Sequence, residues 1–276
     1  MKKKIEKFFA NLLCAFIPFR YPRKRLREFL LFPPPPIGIE AAHIICKKLQ
    51  LISDQHIYTL LNGVKFYCKM YPHDFIQREI VDTGRFFEYD LLNSIIKYTP
   101  PRSVILDIGA NIGNHSIYWA MMCDAKEIHS FEPMNKAYQI LCENVRINNL
   151  ENIITTYNIA LGSQKGYAMI KDFYPNNIGR TSIVETTDGV EINRIKIEAL
   201  DEMNIEFSHV NFVKIDVEGY ELNVLEGMRK LLMRHRPIVF IECFPKNLDK
   251  AIAFFGECGY GMVEKFSCDN YIFRHY

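Results

Sequence analysis

SVILDIGANIG, residues 103–113, begins as an apolar run too short for a helix, Val104 to Leu106, meets an acid at Asp107 and turns on Gly109 and Gly113. This is the pattern of a buried strand feeding a helix, expected over about 114–122. Glycine permits positive φ and close backbone approach to a bound group, and the helix that follows aims unpaired N–H donors back at it. The next apolar strand, EIHSF at 127–131, ends in Glu132, twenty-five residues after Asp107. An acid at that tip of a βαβ unit can accept hydrogen bonds from both hydroxyls of a ribose. The pair of signals calls for an adenosine cofactor.

Two such cofactors compete, a dinucleotide and S-adenosylmethionine. The dinucleotide fingerprint, GxGxxG, needs a bare middle position for the pyrophosphate. Counted from Gly109, the middle glycine is replaced by Asn111 and the last by Asn114. A methionine tail wants acceptors for its ammonium and sulfonium, and Asp107, Asn111 and Glu132 supply them. S-adenosylmethionine is therefore favoured over NAD, and either over a turn that serves only strand–helix packing.

With 276 residues and 49% apolar side chains the chain can bury a substantial core. Its net charge of +2 conceals an asymmetry. Residues 1–32 hold nine Lys or Arg against two Glu, a surplus of +7, which leaves about −5 on the remainder. A mildly acidic body argues against a nucleic-acid partner, whose binding domain would carry its positive charge on the fold itself. The eight cysteines, at 14, 46, 68, 123, 142, 243, 258 and 268, contain no CxxC pair. They fit a reducing cytosol, with no disulfide framework and no metal site.

The first segment places Ile5, Phe8, Phe9, Leu12, Leu13, Phe16 and Ile17 on one helical face flanked by basic residues. Its apolar stretch, about a dozen residues from Phe8 to Phe19, is short of the roughly 20 needed to cross a bilayer. A basic run stands where a cleavage site would be. The segment suits a helix lying on an anionic membrane, with docking on the protein's own body or on a partner as the alternative. Pro33–Pro36 form a stiff spacer. The expected organisation is a basic amphipathic leader at 1–32, the spacer at 33–36, an N-terminal flank or lid at 37–101, and a cofactor-binding domain at 102–276.

Within the flank, 39–51 shows helical spacing, 64–81 alternates like a strand pair around Pro72, and 85–98 reads as a helix stopped by Pro100 and Pro101. Beyond Val104 strands and helices alternate. Helices are expected over 135–148, 220–234 and 248–258. Strands are expected at ITTYNIAL (ending near Ala160), near 166–173 and 191–200, at NFVKID (211–216), at PIVFIEC (237–243), and twice more in the tail. That alternation predicts an α/β fold with a mainly parallel sheet covered on both faces. In such a sheet the ligand lies beyond the carboxyl ends of the strands. Asp107, Glu132, Asn158, Asp216 and Glu242 all fall at or near those ends. A single acid there is more often a cap, but five polar ends together point to a site.

The blocks DIGANIGNHSIYWA, FEP (131–133), NIALG (158–162), KIDVEGYELNVLEG (214–227) and RPIVFIE (236–242), in that order, resemble the FkbM family of S-adenosylmethionine-dependent methyltransferases. The resemblance covers roughly residues 88–244. It implies a Rossmann-like class I sheet of seven strands with one antiparallel, and O-methylation of a hydroxyl. It matches Gly109, Ala110, Asn111 and Gly113 to the methionine-binding loop and Glu132, with Pro133 beside it, to the ribose acid. Asn158 to Ala160 correspond to a wall for adenine, and DVEGYE to the block nearest the acceptor.

Methyl transfer needs an acceptor oxygen held in line with the sulfonium–methyl bond, and a base for its proton. Asp216 and Glu218 at the fourth strand end are the candidates, with Glu242 one strand over. A carboxylate pair could instead hold a divalent cation, although no spacing here calls for one. Glu221 reads as a capping or solvated residue and His115 as structural. The insert from Gly166 to Leu200, with Asn and Arg groups at 176–182, suits a polyhydroxylated or anionic acceptor. Leaders of this kind resemble those on enzymes of bacterial surface polysaccharides, which adds weight to a sugar hydroxyl on a membrane-proximal glycan. The expected location is cytoplasmic, at the inner face of the membrane if the leader binds lipid. An NAD-dependent sugar oxidoreductase and a non-catalytic adenosine-binding adaptor remain as alternatives, the first needing room at Asn111 and the second having no use for Asp216, Glu218 and Glu242.

Overall fold

A computed structural model describes residues 56–60, 62–172, 182–185 and 194–276. The leader at 1–32, the proline spacer, the helical spacing at 39–51 and the polar loop at 176–181 lie outside the described residues. Two compact units emerge, one ending at Tyr89 and the other beginning at Asp90.

In the first unit β1 (Ile57–Thr59) and β2 (Lys65–Tyr67) pair antiparallel. The strand pairing expected across 64–81 stops there, because residues Phe75–Thr83 form a helix, α1. Local capping outweighs the alternating pattern. Asp74 is extended and accepts the Gln77 N–H at 3.0 Å, while Gly84, left-handed at φ 67°, returns its N–H to Ile80 at 2.9 Å. Where the second unit begins, the helix expected over 85–98 is shorter than its pattern. Glu88 has φ 55°, α2 runs only over Tyr89–Ile95, and a 3₁₀ turn at Ile96–Tyr98 leads to the prolines.

The second unit is built on β3 (Val104–Ile108), β4 (Glu127–Phe131), β5 (Ile154–Tyr157), β10 (Phe212–Ile215), β11 (Ile238–Glu242), β12 (Tyr260–Lys265) and β13 (Asn270–His275). Their order across the sheet is β12-β13-β11-β10-β3-β4-β5. Five central strands are parallel, and β13 alone runs against the others. This is the doubly wound seven-stranded α/β arrangement with one antiparallel strand. Every residue of β3 and β10 is buried, as a parallel strand covered on both faces requires. Helices α3 (Asn114–Met122) and α4 (Asn135–Ile147) follow β3 and β4, and α7 (Pro245–Glu257) follows β11. The apolar core joins Leu106, Val213, Val239, Leu225, Leu232 and Phe255, each worth about 1.5–3 kcal/mol of burial.

Two expectations change. The stretch ITTYNIAL is not one strand, for the chain leaves the main sheet after Tyr157. Ala160–Leu161 (β6) then pairs with Ile195–Glu198 (β9) in a second sheet of order β6-β9-β7-β8, with β7 at Gly166–Asp172 and β8 at Ser182–Glu185. The break sits at Asn158, whose side-chain amide donates to the carbonyls of Glu132 and Pro133 at 2.9 and 3.2 Å. The helix expected over 220–234 is two helices, α5 (Glu221–Gly227) and α6 (Arg229–His235), parted at Met228 with φ −125°. Gly227 lies so close to Gly162 that a Cβ there would stand 1.8 Å from the Gly162 carbonyl oxygen. The Asp201 carboxylate then accepts the Lys230 and Leu231 N–H groups at 2.7 and 2.9 Å, capping α6 from a distant segment. Among the described residues no helix is long and apolar enough to cross a membrane.

Candidate active site

Strand order reverses between β3, which connects onward to β4, and β10 on its other side. A crevice is expected beyond the carboxyl ends at such a point, and one is present. Ile108, Gly109 and Asn111 form its floor on the β3 side, Glu132 and Met134 a second edge, Ile159 to Leu161 a third, and Asp216, Val217, Glu218 and Tyr220 the fourth.

The glycine turn is fixed from both sides. The Gly109 and Ala110 N–H groups each donate to the Phe131 carbonyl at 3.0 Å. Gly109 has φ 79°, and a Cβ on it would lie 1.8 Å from the Asp216 carbonyl oxygen. No side chain fits where the β3 and β10 turns abut. Gly113, at φ 85°, opens α3 against Leu141.

Glu132 is 6% exposed, and both its oxygens take backbone donors, Asn111 N–H at 2.8 Å and Met134 N–H at 2.7 Å. Burial outweighs those two bonds and pushes its carboxyl up to about 7. Asn111 lines the cleft at φ 50°, and its buried Oδ1 has no hydrogen-bond partner among the described residues. An acid at the second strand tip, an amide oxygen with no hydrogen-bond partner and a turn that admits no Cβ suit a ligand with ribose hydroxyls and a cationic tail.

Asp107 is placed differently. It is fully buried and does not line the cleft. One oxygen accepts from Ser116 Oγ at 2.5 Å, which also bonds Ser130 Oγ at 2.7 Å, and the other faces Lys214 Nζ at 3.3 Å. Lys214, 2% exposed, donates to the Gly109 carbonyl at 2.6 Å and lies 3.5 Å from Asp216 Oδ2. Sequence reasoning missed this lysine. Its signal was a single charge inside the apolar run Asn211 to Ile215, which a strand buried on both faces has to pair.

Asp216 and Glu218 come together at the cleft, Asp216 with its side chain about a third exposed and Glu218 at φ 53°. Glu242 is not brought there. It ends β11, one strand further out, opposite Asn270. Ala160 lines the cleft, whereas the exposed Asn158 braces the Glu132 tip through its amide. Pro133 is part of the lining, and Ala110 and Gly113 shape the turn without lining it. Glu221 caps rather than meets solvent. Buried at the start of α5, it accepts the Gly219 N–H at 2.6 Å, and burial raises its carboxyl. His115 is buried against Trp119, and desolvation, then the nearby Lys214 charge, lower it to about 4. Neutral and enclosed, it does not line the cleft.

The methyltransferase FkbM domain matches residues 107–262. The hexuronic acid methyltransferase AglP of Haloferax volcanii is 31% identical over 148 residues, covering 52% of this chain and 58% of that protein. Methyltransferase sdnD of Sordaria araneosa is 26% identical over 172 residues, covering 51% of this chain and 64% of that protein. In both cases the chain spans less than two thirds of the relative's length. A solved FkbM methyltransferase from Methylobacillus flagellatus KT overlays 94% of this chain and 72% of its own, at 14% identity and a TM-score of 0.46.

Proposed function

The chain belongs to the methyltransferase FkbM family, and on that premise we propose that it moves a methyl group from S-adenosylmethionine to a sugar hydroxyl of a surface glycan or its precursor. Residues 102–276 act as the catalytic domain and 37–101 as its flank. The observation that carries the reading is the meeting, in one cleft, of the glycine turn, the doubly bonded Glu132, and the acids Asp216 and Glu218.

S-adenosylmethionine supplies an electrophilic methyl group. Glu132 accepts the ribose hydroxyls, and Asn111 Oδ1 accepts from the cationic tail. Ile159 to Leu161 and Tyr220 exclude water from the cleft walls. Asp216 or Glu218 takes the proton from the acceptor hydroxyl, while positioning supplies most of the acceleration. The relative that acts on a hexuronic acid, by its name, supports a sugar acceptor. The basic amphipathic leader would hold the enzyme at the anionic inner face of the membrane. Deleting residues 2–32 without changing partition onto anionic vesicles refutes that role.

Titration calorimetry with S-adenosylmethionine, S-adenosylhomocysteine and NAD tests the cofactor. Binding of the two sulfur ligands, weakened in Glu132→Ala and absent for NAD, is expected. Binding of NAD alone overturns the reading.

A further inference from the structure

Strands β3 and β10 run side by side in register, so that Lys214 pairs with Asp107. Beyond them the two turns diverge in purpose. The β3 turn carries Gly109 and Asn111, toward the cofactor in the reading above, and the β10 turn carries Asp216 and Glu218, toward the acceptor. Their backbones touch where Gly109 meets the Asp216 carbonyl, and the Asp216 N–H donates to Ile108 at 3.0 Å.

The Lys214 ammonium reaches both turns at once. It donates to the Gly109 carbonyl at 2.6 Å, faces Asp216 Oδ2 at 3.5 Å and faces Asp107 Oδ1 at 3.3 Å. A buried ammonium has to be paired, and its three N–H donors need partners beyond the Asp107 charge. The carbonyl and the second carboxylate take that part, and each belongs to a different wall of the cleft. We propose that Lys214 is a positioning residue that clamps the glycine turn and Asp216 to one another, setting the spacing between the cofactor and acceptor sides of the site. The consequence for cofactor affinity rests on the function proposed above; the clamp itself does not.

The alternative is that Lys214 only neutralises Asp107. Two variants separate these accounts. Asp107→Asn removes the buried charge and keeps an oxygen for Ser116, leaving Lys214 on Gly109 and Asp216. Asp107→Asn combined with Lys214→Met removes the ammonium as well, with no buried carboxylate stranded by its loss.

The experiment is amide hydrogen exchange on the ligand-free full chain, followed by calorimetry with S-adenosylhomocysteine. If Lys214 is a clamp, peptides covering 109–113 and 216–220 exchange about tenfold faster in the double variant than in Asp107→Asn, while β3 and β10 stay equally protected. Affinity for S-adenosylhomocysteine then falls about tenfold between the same two proteins. Equal exchange in the two variants overturns the clamp, and faster exchange with unchanged affinity overturns its role in setting the spacing of the two sides. A wild-type protein that binds no S-adenosylhomocysteine strikes the proposed cofactor instead, and the exchange comparison still decides the clamp.

Discussion

Replacing Glu132 by Gln should remove a pH dependence from the stability of the ligand-free protein, so that the variant gains on the wild type as pH rises. Burial holds this carboxyl at about 7 against an ordinary value of 4.5. Between those values the folded protein retains a proton that the unfolded chain has released. Wild-type stability therefore falls as pH rises through the window, and the loss is complete above about 7. At 1.36 kcal/mol per pH unit the gap corresponds to about 3 kcal/mol. Gln resembles the protonated acid and does not titrate. The difference between the two proteins should therefore move in favour of Gln by about 3 kcal/mol between pH 4.5 and pH 8. The amide's own misfit against the Asn111 or Met134 N–H adds an offset of about 1–3 kcal/mol that does not vary with pH. Urea unfolding of both proteins from pH 4.5 to 8.5 checks the slope. Parallel stability curves across that range would refute the claim that Glu132 is strained by burial.

The same titration should appear in ligand binding. If the carboxylate accepts ribose hydroxyls, wild-type affinity for S-adenosylhomocysteine drops about tenfold per pH unit below 7. Calorimetry on Glu132→Gln should show no such dependence. Gly109→Ala drives a Cβ into the Asp216 carbonyl at a positive φ, so a loss of more than about 4 kcal/mol is expected; near-normal urea stability would mean that the turns do not abut. Asp201→Ala uncaps α6 and should cost about 1–2 kcal/mol, read as a lowered urea midpoint with an unchanged slope. Asp216→Asn should keep S-adenosylhomocysteine binding within a few-fold while abolishing methyl transfer to a competent acceptor; retained turnover would move the base to Glu218.

Much of the second unit was legible because its signals are local. The run from Val104 to Gly113, the apolar strands ending in Glu132 and Asp216, and the strand from Ile238 are bounded by their own glycines, prolines and acids. What escaped depends on partners far along the chain. The break at Met228 arises from Gly227 pressing on Gly162 and from a cap supplied by Asp201. β8 is a strand by virtue of pairing with β7. At 75–83 alternation misled, since Asp74 and Gln77 make a helix start that also fits a period of two. In the site, strand-end acids could be nominated from sequence, but where each one lies was set by depth. Asp107 sinks below the cleft onto Lys214, Glu242 stands one strand too far out, and Asn158 turns to brace the backbone.

The small second sheet leaves the body at β6 and rejoins it at β9, two strands that lie side by side through Ala160↔Ile197 and Leu161↔Glu198. Exit and return therefore share one doorway, closed by the Gly162 N–H on the Glu198 carbonyl at 3.0 Å. Whatever is strung between them can be lengthened, shortened or swapped as a cassette without re-threading the main sheet. Gly162 and Glu198 are the posts such an exchange has to leave alone.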